Sequence, residues 1–192
     1  MATQPRIEEV GAYYAVNTKA VDGVKYFKRD EDRLAFLYLL AKEIRRSNWQ
    51  CLIYCLMGTH YHMLIRLREL SLSSGMQHLG SSYSRGFNRE YGRRGALVQS
   101  RFWGRPIETD LHLLETIRYI ARNPVRAALC ERPEDYEWSS YGSNVRGDYP
   151  DPLIDETELL SLFGTRPDLA RRRLRAFVDE PDPRKRRSQR RL

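Results

Sequence analysis

Two apolar runs separated by two residues constrain the fold more than any other feature of the sequence. Residues 49–57 (WQCLIYCLM) and residues 60–67 (HYHMLIRL) each have the length of a buried strand, and Gly58-Thr59 separates them. A two-residue break between strand-like runs is typical of an antiparallel hairpin. The chain is therefore expected to contain an antiparallel sheet that includes this hairpin.

Strand-like and helical segments flank the hairpin in a simple order. Residues 10–21 are rich in β-branched and aromatic side chains, and residues 30–47 repeat at helical spacing between an acidic start and a basic end. Residues 70–91 and residues 110–124 carry two further helical patterns, and residues 92–108 between them are expected to be irregular or a short hairpin. This order resembles a split β-α-β unit, which predicts an α+β fold with an antiparallel sheet and helices on one face.

Helix ends and the C-terminal region give more specific expectations. The helix at 110–124 is expected to be capped by Asp110 and ended by Pro124. Two short amphipathic helices are expected around residues 155–163 and 167–178, followed by a disordered basic tail at 181–192. The apolar stripe of the first helix is expected to be Leu34, Leu37, Leu40, Ala41 and Ile44.

The charge of the chain favours an anionic partner. The formal net charge is +8 and the isoelectric point is about 9.6, which favours nucleic acid first and an acidic membrane surface second. A basic surface without a function is the alternative. The N-terminal residues show no secretory pattern, no run has transmembrane length, and the three cysteines lack metal-type spacing, so a reducing cytoplasm is expected.

A pair of histidines within the second strand of the hairpin is a candidate metal site. Residues i and i+2 of a strand share a face, so His60 and His62 should project together while Tyr61, Met63 and Ile65 face the apolar core. Two imidazoles can bind one divalent ion, and with a third ligand of the oxygen type they would suit exchangeable magnesium or manganese. The alternative is a polar sheet face without a metal.

A tyrosine on the last long helix is a candidate nucleophile. Tyr119 and Asn123 are four residues apart and therefore share one helix face, which His112 and Glu115 extend. A phenol beside a metal ion can attack a phosphodiester and form a covalent phosphotyrosine. A tyrosine at the edge of the core is the alternative interpretation.

Three segments resemble a known family. The segment CLMGTHYHMLIRL resembles the HUH motif of single-stranded-DNA transposases and relaxases, in which two histidines surround a bulky residue. The segment TIRYIARNPVRAALCERPEDYEWSSYGS resembles the signature of the single-tyrosine transposases. Together with SYSRGFNREYGRRGALVQSRFWGRPIE, it resembles the REP-associated tyrosine transposases in particular. The resemblance extends over residues 13–144.

The resemblance implies a site, a fold and a reaction. His60 and His62 match the histidine ligands of a divalent metal ion, Tyr119 matches the nucleophile, and Asn123 stands at the position of the third, polar ligand. The family fold is a ferredoxin-like or RRM-like α+β sandwich. Members cut and rejoin single-stranded DNA next to hairpins through a 5′-phosphotyrosine, which implies a REP-like hairpin as the partner and a cytoplasmic, nucleoid-associated location.

The chain is expected to divide into three parts. Residues 8–145 would form the catalytic domain, residues 146–180 a helical extension and residues 181–192 the basic tail.

Arginines and aromatic residues alternate between the second and third long helices, as in single-strand binding platforms. The candidates for DNA binding are Arg85, Arg89, Arg93, Arg94, Arg101, Trp103 and Arg105.

The sequence is also compatible with other functions. The protein could be a domesticated relative that binds structured DNA or RNA without cutting it, or a metal-dependent hydrolase, although the second would need further ligands. A monomer and a homodimer are both compatible with the sequence, so Tyr119 and the histidines could meet within one chain or between two chains.

Overall fold

The elements follow the predicted order, with one further strand and two further short helical segments. The computed structural model describes residues 8–180. None of the helices within this range is both long and apolar enough to cross a bilayer. The elements are β1 (Tyr13–Lys19), α1 (Asp30–Arg46), β2 (Trp49–Leu56), β3 (His60–Leu67), α2 (Leu72–Glu90), β4 (Trp103–Ile107), α3 (Asp110–Arg126), a 3₁₀ turn (Pro133–Asp135), α4 (Tyr141–Arg146), α5 (Glu156–Ser161) and α6 (Pro167–Asp179).

The four strands form one antiparallel sheet in the order β2-β3-β1-β4. The predicted hairpin is confirmed, since β2 and β3 pair directly and the backbone N of Met57 donates to the carbonyl of His60 at 2.8 Å. With α1 after β1 and α2 after β3, this is the ferredoxin-like arrangement, so the predicted α+β class is confirmed.

Helices cover both faces of this sheet, whereas the sequence predicted helices on one face. Helices α1 and α2 pack on one face, where Phe36 and Met76 join Tyr61 and Met63 in a first apolar cluster. Helix α3 packs on the opposite face, where Ile117 contributes to a second cluster that also contains side chains of α5 and α6. The difference arises because both faces of β2 and β3 are apolar, and each needs a cover to exclude water.

The core stripe of α1 differs from the predicted one at its start. Leu34 is 57% exposed, while Phe36 and Leu40 are fully buried and continue to the buried Glu43. These residues repeat at intervals of four and three, so the buried face of the helix is rotated away from Leu34. Leu34 is an exposed leucine, and that part of the prediction was wrong.

Both predicted ends of α3 also differ. Thr109, not Asp110, is the N-cap, since its side chain accepts from the backbone N of His112. Asp110 is the first helical residue, where its charge still suits the helix dipole. Pro124 lies inside the helix, which continues for two more residues to Arg126.

The C-terminal segments close the open edge of β2 and pack on the sheet. Ser140 Oγ accepts from the backbone N of Tyr54 at 3.0 Å, and the backbone N of Leu56 donates to the carbonyl of Trp138 at 2.8 Å. Side chains of α5 and α6 share the second apolar cluster with α3. The division at residue 145 therefore remains a prediction, and the predicted tail at 181–192 lies outside the described residues.

Candidate active site

Tyr119 and the histidine pair meet on the face of the sheet that α3 covers. The ring centroids of His60 and His62 are 4.9 Å apart, and those of His62 and Tyr119 are 5.2 Å apart with nearly perpendicular planes. Tyr61 points to the opposite face, where it packs 4.6 Å from the ring of Phe36. The two parts of the candidate site, His62 and Tyr119, are 57 residues apart in sequence and come together within a single chain.

The surroundings of both histidines favour neutral imidazoles. Burial, and to a lesser extent the nearby His60, lower the pKa of His62 to about 4. Burial and the charge of Lys19 also lower the pKa of His60. A neutral imidazole has a free nitrogen lone pair, which is the form that binds a metal ion.

One buried nitrogen of the histidine pair lacks a hydrogen-bond partner within residues 8–180. His62 is buried, and its Nε2 has no hydrogen-bond partner among the described residues. His60 uses Nδ1 for a 3.0 Å hydrogen bond with Thr59 Oγ1; this bond orients the ring and leaves Nε2 for another contact. A buried nitrogen without a partner costs free energy, so this pair suits an ion that both nitrogens bind.

Asn123 lies one helical turn after Tyr119, as predicted, and it is buried. Its Nδ2 donates to the carbonyl oxygen of Tyr119 at 3.1 Å, so the side-chain oxygen is the atom left for a ligand. Asn123 does not line the cleft between α3 and the sheet beside Tyr119. Within residues 8–180, no group of three or more histidine, cysteine, aspartate or glutamate side chains is placed to hold a metal ion.

A cleft of 320 Å³ runs between α3 and the sheet beside Tyr119. We call it the α3 cleft. Tyr119 is 41% exposed and Trp103 is 46% exposed, so two aromatic rings of the cleft remain accessible to a ligand. Its polar lining residues are Asn17, His62, His112, Glu115, Thr116 and Tyr119.

Two residues near Tyr119 were not predicted. Asn17 of β1 pairs with His62 of β3 and lines the α3 cleft, which only the strand register determines. Arg126 holds its guanidinium 5.2 Å from the ring of Tyr119. Its position, seven residues after Tyr119 on the same helix, is a signal that the sequence did contain.

A buried arginine next to Tyr119 ties α3 to the end of α6. Arg118 is 3% exposed, and its guanidinium lies 3.7 Å from the ring of Phe177. Its Nε donates to the carbonyl of Phe177 at 2.9 Å, and one terminal nitrogen donates to Glu115 at 3.1 Å. Glu115 lines the α3 cleft, so Arg118 offsets a negative charge that would otherwise repel a phosphate there.

The structure separates the predicted DNA-binding residues into two groups. Trp103 and Arg105 lie on β4 beside the α3 cleft, with the guanidinium of Arg105 5.2 Å from the ring of Trp103, and Arg101 lies just before them. The remaining four lie on or directly after α2, on the other side of the sheet, where Arg93 donates to Asn88 Oδ1 at 3.1 Å. These four are Arg85, Arg89, Arg93 and Arg94.

Comparison with known proteins supplies an independent result. A family model described as "Transposase IS200 like" matches residues 18–123, which include the histidine pair, Tyr119 and Asn123. A putative REP-associated tyrosine transposase of Haemophilus influenzae (strain ATCC 51907 / DSM 11121 / KW20 / Rd) is 28% identical over an alignment of 109 residues that covers 50% of this chain. The match spans 62% of that relative's length, less than two thirds of it.

A solved structure shares the fold. The structure of a REP-associated tyrosine transposase bound to a REP hairpin superposes with a TM-score of 0.64 at 19% sequence identity. The match covers 78% of this chain and 89% of that one. The likeness therefore extends over most of the sheet and its helices.

Proposed function

Because the chain belongs to the IS200-like transposase family, we propose that it is a REP-associated tyrosine transposase that cuts and rejoins single-stranded DNA beside hairpins, with Tyr119 as the nucleophile. The observation that carries this proposal is the contact of Tyr119 with His62 in one accessible cleft. The relative from Haemophilus influenzae and the solved structure, whose DNA is a REP hairpin, support the choice of substrate.

The proposed reaction is a transfer of the phosphodiester to tyrosine. The oxygen of Tyr119 forms a bond to the phosphorus while the bond from phosphorus to the 3′-oxygen breaks. The phenol loses its proton, and the leaving oxygen takes up a proton to become a free 3′-hydroxyl. The DNA remains attached through its 5′-phosphate, and attack by a 3′-hydroxyl reverses the step without an external energy source.

We propose His60, His62 and the side-chain oxygen of Asn123 as ligands of a divalent metal ion, Mg²⁺ or Mn²⁺. The Nε2 of His62, which has no hydrogen-bond partner within residues 8–180, and the lowered pKa of both histidines support this donor set. A bound ion would polarise the phosphate and stabilise its developing charge. Arg126 and the exposed ring of Trp103 would contact the phosphate and a neighbouring base. An enzyme that acts on chromosomal DNA is expected in the cytoplasm with the nucleoid.

The test is the formation of a covalent adduct. Wild-type protein with Mn²⁺ and a single-stranded oligonucleotide that carries a hairpin should give a band that survives denaturing electrophoresis, and a chelator should abolish it. Tyr119→Phe should give no adduct. Tyr149→Phe is the matched control, because Tyr149 is 81% exposed and should not react.

Two results would overturn the proposal. One is an adduct that persists in Tyr119→Phe. The other is wild-type protein that binds hairpins tightly, with steep salt dependence, but forms no adduct across varied hairpin sequences. The second result would identify a non-cleaving DNA-binding relative instead.

A further inference from the structure

The chain opposite β1 forms a bulge just beyond the α3 cleft. Trp103 of β4 pairs with Asn17, and the next backbone contact joins the N of Gln99 to the carbonyl of Lys19 at 3.1 Å. Residues 100–102 therefore stand opposite the single residue Thr18. Bulges at sheet edges redirect the chain next to functional sites, and this one leaves a notch in the edge of the sheet.

The notch links the α3 cleft to the opposite face of the sheet. A polar groove of 330 Å³ at the notch shares Asn17 and Trp103 with the α3 cleft. The same groove shares Thr18 and Arg101 with a larger cleft beside α2. Since each depression shares residues with the next, one path leads from the proposed nucleophile around the sheet edge to α2.

The larger cleft, which we call the α2 cleft, lies between α2 and the bulge and has a volume of 850 Å³. Sites for small organic ligands have volumes of about 300–1,000 Å³. Its apolar lining includes Tyr61, Met76 and Phe102. The positions that α2 contributes are otherwise small or polar: Ser73, Gln77, Gly80, Ser81 and Ser84.

The polar groups of the α2 cleft include a buried hydroxyl. Thr18 is 7% exposed, and its Oγ1 lies beside the Tyr61 hydroxyl. The acid at one end, Glu8, already accepts from the backbone N of Leu72 and of Ser73 at 2.9 and 2.7 Å. The carboxylate of Glu8 is therefore already engaged by the start of α2.

The charges along the path suit a nucleic-acid strand. Lys19 and Arg101 are exposed and both line the groove at the notch. Single-strand binding surfaces combine such positive charges for the phosphates with apolar and aromatic surface for the bases. The path supplies the charges at the notch and the base-sized space in the α2 cleft.

We infer that the α2 cleft is a second nucleotide-binding site, which holds a base of the single-stranded arm that leads away from the cleaved phosphate, with the arm's backbone at Lys19 and Arg101. This inference rests on the proposed function and specifies where the flanking strand of its substrate binds.

Two glycines of α2 provide a matched pair of variants. Gly80 lines the α2 cleft and Gly86 does not, and a Cβ at either position would meet no atom within 4 Å. Leucine is a better helix former than glycine, so both Gly80→Leu and Gly86→Leu should fold and melt no lower than wild type. Only the leucine at position 80 projects into the cleft.

The probes are a bare DNA hairpin and the same hairpin with single-stranded arms of random sequence, each about ten nucleotides long. Fluorescence anisotropy measures the dissociation constants. Wild type and Gly86→Leu should bind the armed hairpin at least about tenfold more tightly than the bare one. Gly80→Leu should lose this advantage and bind the bare hairpin as wild type does.

Arg101→Gln is a second variant that does not depend on the folding of Gly80→Leu. It should weaken binding of the armed hairpin and reduce the salt dependence of binding by about one counterion. Arg45→Gln, on α1 away from the path, should change neither.

The inference is overturned if Gly80→Leu or Arg101→Gln binds the armed hairpin as tightly as wild type, or if the arms add no affinity. If the inference is overturned but the wild-type protein still forms an adduct at Tyr119, the proposed function stands. If no adduct forms but Gly80→Leu still loses the affinity that the arms add, the proposed reaction is overturned and the second binding site stands.

Discussion

His62 and Tyr61 show how much single residues of this site follow from sequence. Alternation along a strand predicts that Tyr61 faces the core and that the two histidines face the other way, and both are observed. Asn17 lies opposite His62 only because β1 and β3 pair in one particular register. No local pattern specifies that register, so Asn17 could not be predicted from the sequence.

Replacement of His62 tests the proposed metal ligands. His62→Ala should weaken Mn²⁺ binding at least about tenfold, since even loss of a supporting contact around a metal costs about 10–100-fold. It should also reduce the adduct yield. Titration of the purified protein with Mn²⁺, followed by electron paramagnetic resonance, measures the affinity.

His112 provides the control for that measurement. It lines the same cleft but is exposed and is not a predicted ligand. His112→Ala should bind Mn²⁺ as wild type does. Equal affinities of wild type and His62→Ala would remove His62 from the proposed ligand set.

The strand β4 is the element that the sequence described least well. Residues 92–108 were expected to be irregular or a short hairpin, whereas β4 pairs with β1, whose residues lie 86 to 94 positions earlier in the chain. Gly104 and Pro106 are unfavourable in strands, and proline is tolerated at a sheet edge because its missing N–H then costs no pairing. The edge position, which depends on the complete sheet, overrides the local preference.

The contact between α2 and β2 depends on a glycine. A Cβ at Gly75 would lie 2.4 Å from Trp49 Cζ2 and 2.7 Å from Ser47 Oγ. Gly75→Ala should therefore lower the free energy of unfolding by about 1–3 kcal/mol, because a buried ring must move to admit the methyl group. Urea unfolding measures the change.

Gly80→Ala is the comparison on the same helix. Its Cβ would meet no atom within 4 Å, so the variant should gain about 0.5–1 kcal/mol from the lower chain entropy of alanine. If both variants were stabilised, close packing of α2 on Trp49 would be refuted.

The whole molecule brings the tyrosine and the histidine pair together within one chain. The sequence left open whether Tyr119 works with the histidines of its own chain or of a second one, and the 5.2 Å separation of the Tyr119 and His62 rings leads us to propose a single-chain site. Basic residues occur on both sides of the sheet, and no pattern in the sequence indicates which side each occupies. Composition predicts the sign of the partner's charge and not the path that the partner follows.

A mixing experiment tests the single-chain site. Tyr119→Phe and His62→Ala proteins, each inactive, should remain inactive when mixed, since each chain would lack one half of its site. The readout is adduct yield over a range of protein concentrations. Restored activity in the mixture would show that the tyrosine of one chain works with the histidines of another.

Mass spectrometry of the adduct tests the central claim most directly. After incubation with a hairpin oligonucleotide and Mn²⁺, the protein is digested with protease and nuclease, and the peptide that carries a nucleotide is sequenced. We predict a single modified residue, Tyr119, linked to the 5′-phosphate of the DNA, and a free 3′-hydroxyl on the released strand. A link at any other residue, a link through a 3′-phosphate, or cleaved DNA without any protein link would contradict the account.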